Sequence, residues 1–368
     1  GFWPGGDRDG NPFVTTKITL DVAERLRQSI LRSYYGDVKR LKRRFTFDGV
    51  QEILAKVEKR LYKHVVRSYK KVNFSQKILL SELEAAREIV KTKHNSLFIE
   101  ELNDFINKVR IFGFHFATLD IRQDSRVHHK AFTQIVDDLA ADGDTTFPKN
   151  YHHLSEDEQI LILSLVKGNI DPKILSDEMS VKTIESIYAL KTIQARNGER
   201  GANRYIISNN QSALNVMQTF AMLNLCGFEN ELPVDVIPLF ETVDDLENSS
   251  DVMRTLYSNQ AYRYHLTKRK NKQTIMLGFS DGTKDGGYLM ANWGIFKAKE
   301  ALTKISREFD IEVIFFDGRG GPPARGGGKT HQFYASLGPT IEDKEIQLTI
   351  QGQTISSNFG TLNSSQFN

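Results

Sequence analysis

The sequence has a single cysteine, Cys226, which excludes an intrachain disulfide framework and fits a reducing cytoplasm. No apolar run approaches the roughly 18 residues of a membrane helix, and no secretory signal peptide is visible. A large charge excess is also missing, because the formal net charge is only +3. So small a charge does not indicate a nucleic-acid or membrane partner. We therefore expect a cytoplasmic protein that works without a nucleic-acid or membrane partner.

The 368 residues are enough for a large core, and their patterning divides the chain into four parts, of which the first two are residues 1–16 and 17–110. Residues 1–16 are rich in Gly, Asp, Asn and Pro, which is typical of a surface turn or of a loop that reaches a polar site. Residues 17–110 carry apolar side chains at helical spacing and predict a helical lobe. Its basic cluster, Lys39 to Arg44, is either a solvated helix face or a nucleic-acid contact.

The third part, residues 111–200, begins with strand character over 111–126 and then returns to helices. Arg122 lies in that predicted strand. An arginine is costly to bury unless it has an anionic partner, and Asp120 or Asp124 could supply one.

The fourth part, residues 201–368, alternates short apolar strands with helices. This order indicates right-handed βαβ units and a parallel sheet. The predicted fold class is therefore α/β with a large helical content, in which an incomplete (β/α)8 TIM-type barrel accompanies the helical lobe.

Polar residues follow the predicted strands of this fourth part, and in such barrels functional groups lie at the carboxyl ends of the strands. Carboxylate oxygens from two strands suit Mg²⁺ or Mn²⁺. Alternatively, Glu241 and Asp281 cap the helices that they precede. His128 and His129 lack suitably spaced partners, and we expect them to be surface histidines rather than metal ligands. The strand-end residues are Glu241, Asp281, Lys284 and Asp317.

A glycine-rich stretch, VIFFDGRGGPPARGGGKTH over residues 313–331, follows the last long apolar strand. Glycine lets backbone N–H groups approach an anion, and Arg319 and Arg325 add planar guanidinium groups that match phosphate or carboxylate. The stretch predicts an anion-binding loop. A flexible connection and an RGG-type nucleic-acid tract are the alternatives, although RGG tracts normally repeat within low-complexity sequence.

This stretch resembles the mobile loop of phosphoenolpyruvate carboxylases, and other segments resemble the same family in the expected order. They are GGDRDGNP at 5–12, LDIRQDS at 119–125, ETVDDL at 241–246 and SDGTKDGG at 280–287. The similarity covers most of the chain. It implies an internal piece of a longer bacterial-type enzyme.

The resemblance also implies roles for individual residues. Glu241 and Asp281 would bind Mg²⁺ or Mn²⁺, and Arg122 would hold the phosphate of phosphoenolpyruvate. The segment that contains Arg8 would lie near the active site, so Arg8 joins the predicted substrate-binding residues together with Arg319 and Arg325. The catalytic residues implied are Arg319, Arg325, Lys284 and Asp317.

The implied reaction joins bicarbonate to phosphoenolpyruvate through carboxyphosphate and an enolate, giving oxaloacetate and phosphate. It is anaplerotic, because it feeds the tricarboxylic acid cycle. Allosteric inhibition by aspartate or malate, in which Arg325 takes part, is a further expectation from the family. So is a homotetramer when the protein is intact.

The sequence departs from the family at three places. Asp317 replaces a histidine, and Pro322 to Ala324 replace a small flexible segment. A Thr-Ala-His-Pro-Thr-Glu motif with the catalytic histidine has no counterpart here. We therefore expect this polypeptide alone to lack carboxylase activity, and oxaloacetate formation by the purified chain would contradict that expectation.

Two other functions remain open from the sequence. One is a different Mg²⁺-dependent barrel enzyme acting on phosphoenolpyruvate or pyruvate, and substrate-dependent bicarbonate consumption would separate it from a carboxylase. The other is a non-enzymatic helical scaffold or nucleic-acid binder that uses Lys39 to Arg44 and Lys268 to Lys272. Salt-dependent binding of DNA or RNA would support it.

Overall fold

A computed structural model describes residues 2–11, 13–66, 74–228, 232–278, 280–318, 329–349, 355–356 and 359–367, without the side chains of 280–286. Helices dominate the amino-terminal part. They are α1 (Thr16–Arg44), α2 (Val50–Val66), α3 (Gln76–Lys93) and α4 (Ile99–Phe112). Among these described residues, no helix is both long enough and apolar enough to cross a bilayer.

Helices α1 to α4 enclose a core of their own, as the periodicity of 17–110 predicts. Leu31, Leu54, Leu61 and Leu83 are completely buried in it. The first half of α1 leaves this core and packs against the rest of the protein, where the Asn197 side chain donates to the carbonyl of Ala23 at 2.9 Å. One helix thus joins the lobe to the sheet.

The remaining elements form βα units around a parallel sheet of six strands in sequential order. The strands are β1 (Asp120–Asp124), β2 (Arg204–Ser208), β3 (Asp235–Phe240), β4 (Lys272–Leu277), β5 (Glu312–Asp317) and β6 (Ile346–Leu348). The helices are α5 (Ser125–Ala141), α6 (Glu156–Leu163), α7 (Glu178–Asn197), α8 (Ala213–Leu225), α9 (Val243–Ser258), α10 (Gln260–Lys268), α11 (Ser280–Glu308), α12 (Thr330–Ala335) and α13 (Leu362–Phe367). The predicted α/β class with a parallel sheet is confirmed.

The sheet curls, and its two faces differ. Arg204 at the start of β2 donates to the Gln347 side chain of β6 at 2.5 Å, although three strands separate them in the sheet. We call the side on which they meet the inner face. Its apolar cluster is Ile206, Ile237, Leu239, Met276 and Phe316. The alternate strand residues, on the outer face, join the main core with the helices; they include Tyr205, Ile207, Val236, Ile275 and Phe315.

Two predictions about residues 111–129 are wrong. The strand covers Asp120–Asp124 only, because α4 continues to Phe112 and both Gly113 and Phe116 have a positive φ, which breaks an extended chain. His128 is not a surface residue. It is fully buried on α5, with its ring nitrogens bonded to the Tyr205 hydroxyl at 2.9 Å and to the Thr219 hydroxyl at 3.0 Å.

Candidate functional site at the carboxyl ends of the strands

Arg122 lies at the centre of a cluster of charges at the carboxyl end of the sheet. Its Nη2 donates to Asp9 Oδ2 at 2.7 Å and to Glu241 Oε1 at 3.2 Å. Its Nε lies 3.9 Å from Asp7 Oδ1. The arginine therefore has acids from two other parts of the chain as partners, in place of the neighbouring aspartates considered from sequence.

The amino-terminal GGDRDG segment reaches Arg122 by running parallel to β1. The Arg8 N–H donates to the Arg122 carbonyl at 2.9 Å, and the Arg122 N–H donates to the Gly6 carbonyl at 3.1 Å. A Cβ at Gly6 would come within 2.0 Å of the Asp120 carbonyl oxygen, so only glycine permits this approach. The pairing places Asp7 beside Arg122.

Glu241 follows β3 directly and points to the same cluster. Its Oε2 accepts from the Asn209 N–H at 2.8 Å, so both carboxylate oxygens are held. The helix-capping alternative is wrong for this residue, because Thr242 is the N-cap of α9 and Asp245 completes the capping box. Glu241 therefore points into the cluster and is not used as a helix cap.

Gly278, at the end of the neighbouring strand β4, makes room for Glu241. A Cβ at this position would lie 3.0 Å from Glu241 Cγ and 3.1 Å from Glu241 Cα. The Gly278 N–H also donates to the Phe240 carbonyl at 2.8 Å, which fixes the two strand ends together. The smallness of residue 278 is therefore part of the geometry that places the glutamate.

Three carboxylates, those of Asp7, Asp9 and Glu241, lie around Arg122, and the charge of Arg126 also acts on Asp9 and Glu241. Burial raises the pKa of the Asp7 carboxyl, and the nearby Arg122 opposes that shift. The Nε of Arg122 is buried without a hydrogen-bond partner within the described part of the chain. A buried donor without a partner, beside three carboxylates, indicates a place where a further ion or ligand can bind.

The donor set suits a hard divalent cation. Mg²⁺ usually takes one or two carboxylates and completes its shell with water and substrate oxygens. Glu241 supplies one such carboxylate at a strand end. No group of three or more metal-ligating side chains occurs within the described ranges. Of the two predicted ligands, Glu241 and Asp281, the structure describes only the Glu241 side chain.

Asp317 lies on the other face of the sheet. It is the last residue of β5, and its Oδ2 accepts from Lys299 Nζ of α11 at 2.9 Å and from the Tyr334 hydroxyl of α12. The Lys299 and Asp317 side chains are only 3% and 8% exposed. Burial, with Asp317 alongside, raises the pKa of the Tyr334 hydroxyl. Asp317 is thus enclosed by helices and does not face Glu241.

Arg8 also points away from the cluster. Its Nη1 donates to the Lys182 carbonyl at 3.4 Å, and its side chain lines a cavity of ≈ 670 Å³ beside α7. Neighbouring residues in a strand-like segment alternate in direction, which is why Asp7 and Asp9 meet Arg122 while Arg8 does not. The cavity is lined by acids as well, among them Asp124 and Glu178.

The structure brings together Arg122 and Glu241 out of the residues predicted from sequence. Arg319 and Arg325 lie outside the described residues, as do the side chains of Asp281 and Lys284. Sequence reasoning missed Asp9 as a partner of Arg122 and Gly278 as the neighbour of Glu241. The signal for Asp9 was its place in GGDRDG, next to Arg8, which was predicted to bind substrate.

Comparison with known proteins gives a consistent result. The family model described as phosphoenolpyruvate carboxylase matches residues 1–76 and 50–368. A protein of Nitrosomonas eutropha (strain DSM 101675 / C91 / Nm57) named phosphoenolpyruvate carboxylase is 31% identical over 407 aligned residues. The alignment covers 98% of this chain and 43% of that protein. The chain therefore spans less than half the length of the curated relative it matches.

Proposed function

The chain belongs to the phosphoenolpyruvate carboxylase family, and we propose that it contributes the phosphate- and cation-binding rim of an enzyme that carboxylates phosphoenolpyruvate with bicarbonate. The products would be oxaloacetate and phosphate. The observation that carries the proposal is the contact between Arg122 of β1 and Glu241, which directly follows β3. Arg122 supplies a guanidinium group suited to a phosphate, and Glu241 supplies a carboxylate suited to a cation.

The proposal includes the finer fold and setting that the family implies. The curled sheet is consistent with part of a (β/α)8 barrel, and the position of the cluster at the strand ends is where such barrels carry their chemistry. A cytoplasmic homotetramer under aspartate or malate inhibition, serving an anaplerotic route, completes the proposal.

In this proposal Arg122 binds the phosphate of phosphoenolpyruvate, because guanidinium forms parallel hydrogen bonds with phosphate oxygens. Glu241 and Asp281 would hold Mg²⁺ or Mn²⁺, and the cation would supply charge stabilisation for the enolate. Arg319, Arg325 and Lys284 remain substrate and catalytic residues by resemblance. Asp317 takes part only indirectly, because Lys299 and Tyr334 occupy its carboxylate on the outer face.

Mn²⁺ binding by the full chain, measured by electron paramagnetic resonance of the free ion, tests the proposal. Glu241→Gln should weaken binding at least about tenfold, since a neutral amide replaces a charged oxygen ligand. Glu300→Gln is a matched control, because Glu300 pairs with Lys297 on the surface of α11. No Mn²⁺ binding by the wild type, or equal binding by Glu241→Gln, would overturn the proposal.

A further inference from the structure

We propose that Asp9 is a positioning residue that retains Arg122 so that Glu241 can serve a cation. The inference rests on the proposed function, because it concerns the same site. Arg122 Nη2 contacts both Asp9 and Glu241, and the contact with Asp9 is the shorter, at 2.7 Å against 3.2 Å.

For Glu241, pairing with Arg122 competes with binding a cation. A carboxylate that coordinates a divalent cation brings that cation close to the guanidinium of Arg122, and like charges a few ångströms apart repel strongly in a partly buried site. The side chains of Arg122 and Glu241 are only 20% and 16% exposed, so water screens this repulsion poorly. Cation binding therefore requires Arg122 to turn toward another acid.

Asp9 is the acid placed to receive it. It belongs to the GGDRDG segment and not to β3, so it stays with Arg122 when Glu241 turns to a ligand. Its backbone N–H donates to Asp7 Oδ1 at 3.1 Å, and the adjacent Arg8 N–H is bonded to the Arg122 carbonyl. These bonds fix the segment against β1. Asp7 lies farther from the guanidinium, at 3.9 Å from Nε.

The position of Arg122 would in turn set where a phosphate binds. With Asp9 as its partner, the guanidinium stays within the cluster but turns from Glu241, and its other donors can then bind a phosphate. Without Asp9, Glu241 is the nearest remaining acid among the described partners of Arg122 Nη2. Arg122 would then bind Glu241 more tightly and compete with the cation.

A double-mutant cycle on the full chain tests the inference, with Mn²⁺ affinity from electron paramagnetic resonance as the readout. Asp9→Asn should weaken Mn²⁺ binding about fivefold or more in the otherwise wild-type chain. The same change should have less than about a twofold effect when Arg122→Gln is also present, because the competitor is then gone. Asp9→Glu should restore part of the affinity, and Asp7→Asn should cost less than Asp9→Asn.

The cycle separates positioning from simple charge loss. A carboxylate that attracts Mn²⁺ only through its charge would give the same weakening in both backgrounds, and that result would overturn the inference. Unchanged Mn²⁺ binding by Asp9→Asn would overturn it too. Circular dichroism checks folding, and Asp9→Glu supplies the comparison if Asp9→Asn does not fold. Absence of Mn²⁺ binding by the wild type would instead reject the proposed function.

Discussion

The two faces of the sheet treat a strand-end acid in opposite ways. On the inner face, Glu241 shares Arg122 with two aspartates, and all of these side chains keep some exposure. On the outer face, Asp317 is buried with Lys299 as its ion-pair partner and Tyr334 as a second donor. Both acids lie at the carboxyl ends of strands, yet one belongs to an open cluster of carboxylates around Arg122 and the other is paired in a closed site.

In this sheet the direction of a side chain, and not its place along the strand, decides its chemistry. Successive strand residues point to opposite faces. Phe316 belongs to the inner cluster, so the next residue, Asp317, points to the outer face. Leu239 also belongs to the inner cluster, and Glu241, two residues later, points to the inner face as well. A closed, balanced pair contributes to structure, while an open cluster with unmet donors can take a ligand.

The largest effect expected is from breaking the outer pair. Lys299→Met should lower the free energy of unfolding by about 3–5 kcal/mol, because it leaves Asp317 buried without a counter-charge. Urea unfolding measures this. The matched control is Lys297→Met, whose partner Glu300 lies at the surface, and its cost should stay below about 1 kcal/mol. Equal costs for the two variants would show that the outer pair is not special.

Acid should also lower the free energy of unfolding through His128, which is buried and neutral in the folded protein. Burial, aided by Arg8, lowers the pKa of His128 to about 3 in the folded protein. A lowered histidine pKa gives stability that is complete above the unfolded pKa of about 6.5 and is lost as pH falls below it. The wild type should therefore lose about 2 kcal/mol relative to His128→Gln between pH 7 and pH 5. Urea unfolding of both proteins at the two pH values measures the difference, and parallel pH curves would contradict this.

The smallest effect is expected at Gly278 and Gly318, two glycines on the inner face. Gly278→Ala should cost about 1 kcal/mol of unfolding free energy, because its Cβ meets the backbone and stem of Glu241 at 3.0–3.1 Å. It should also weaken Mn²⁺ binding. Gly318→Ala should cost less, since its nearest neighbour is the flexible Met276 Cε at 3.3 Å. Thermal unfolding and Mn²⁺ titration of the pair test this, and a greater loss in Gly318→Ala would reverse the comparison.

Much of the fold followed from sequence because its periodicities are strong. The change from helical spacing to short apolar strands predicted the helical lobe, the parallel sheet and the position of Glu241 at the end of β3. Local patterns failed where backbone conformation overrode them. Phe112, Phe114 and Phe116 alternate as in a strand, but α4 ends at Phe112 and the chain turns there.

The site was less predictable because its contacts are distant in sequence. Arg122 is separated from Asp9 by 113 positions and from Glu241 by 119, so neighbouring residues gave no hint of its partners. His128 looked exposed because its partners Tyr205 and Thr219 come from β2 and α8. The outward turn of Asp317 could have been counted from strand alternation, although its partner Lys299 could not.

Arg204 has a consequence for the curl of the sheet. It lies at the amino end of β2, where it contacts Gln347, pairs with Asp120 at 3.4 Å and stacks over the Phe316 ring at 4.7 Å. In the part of the chain that the structure describes, these contacts link β2 to β1, β5 and β6 across the inner face. A single side chain thus joins the last strand of the sheet to the first two.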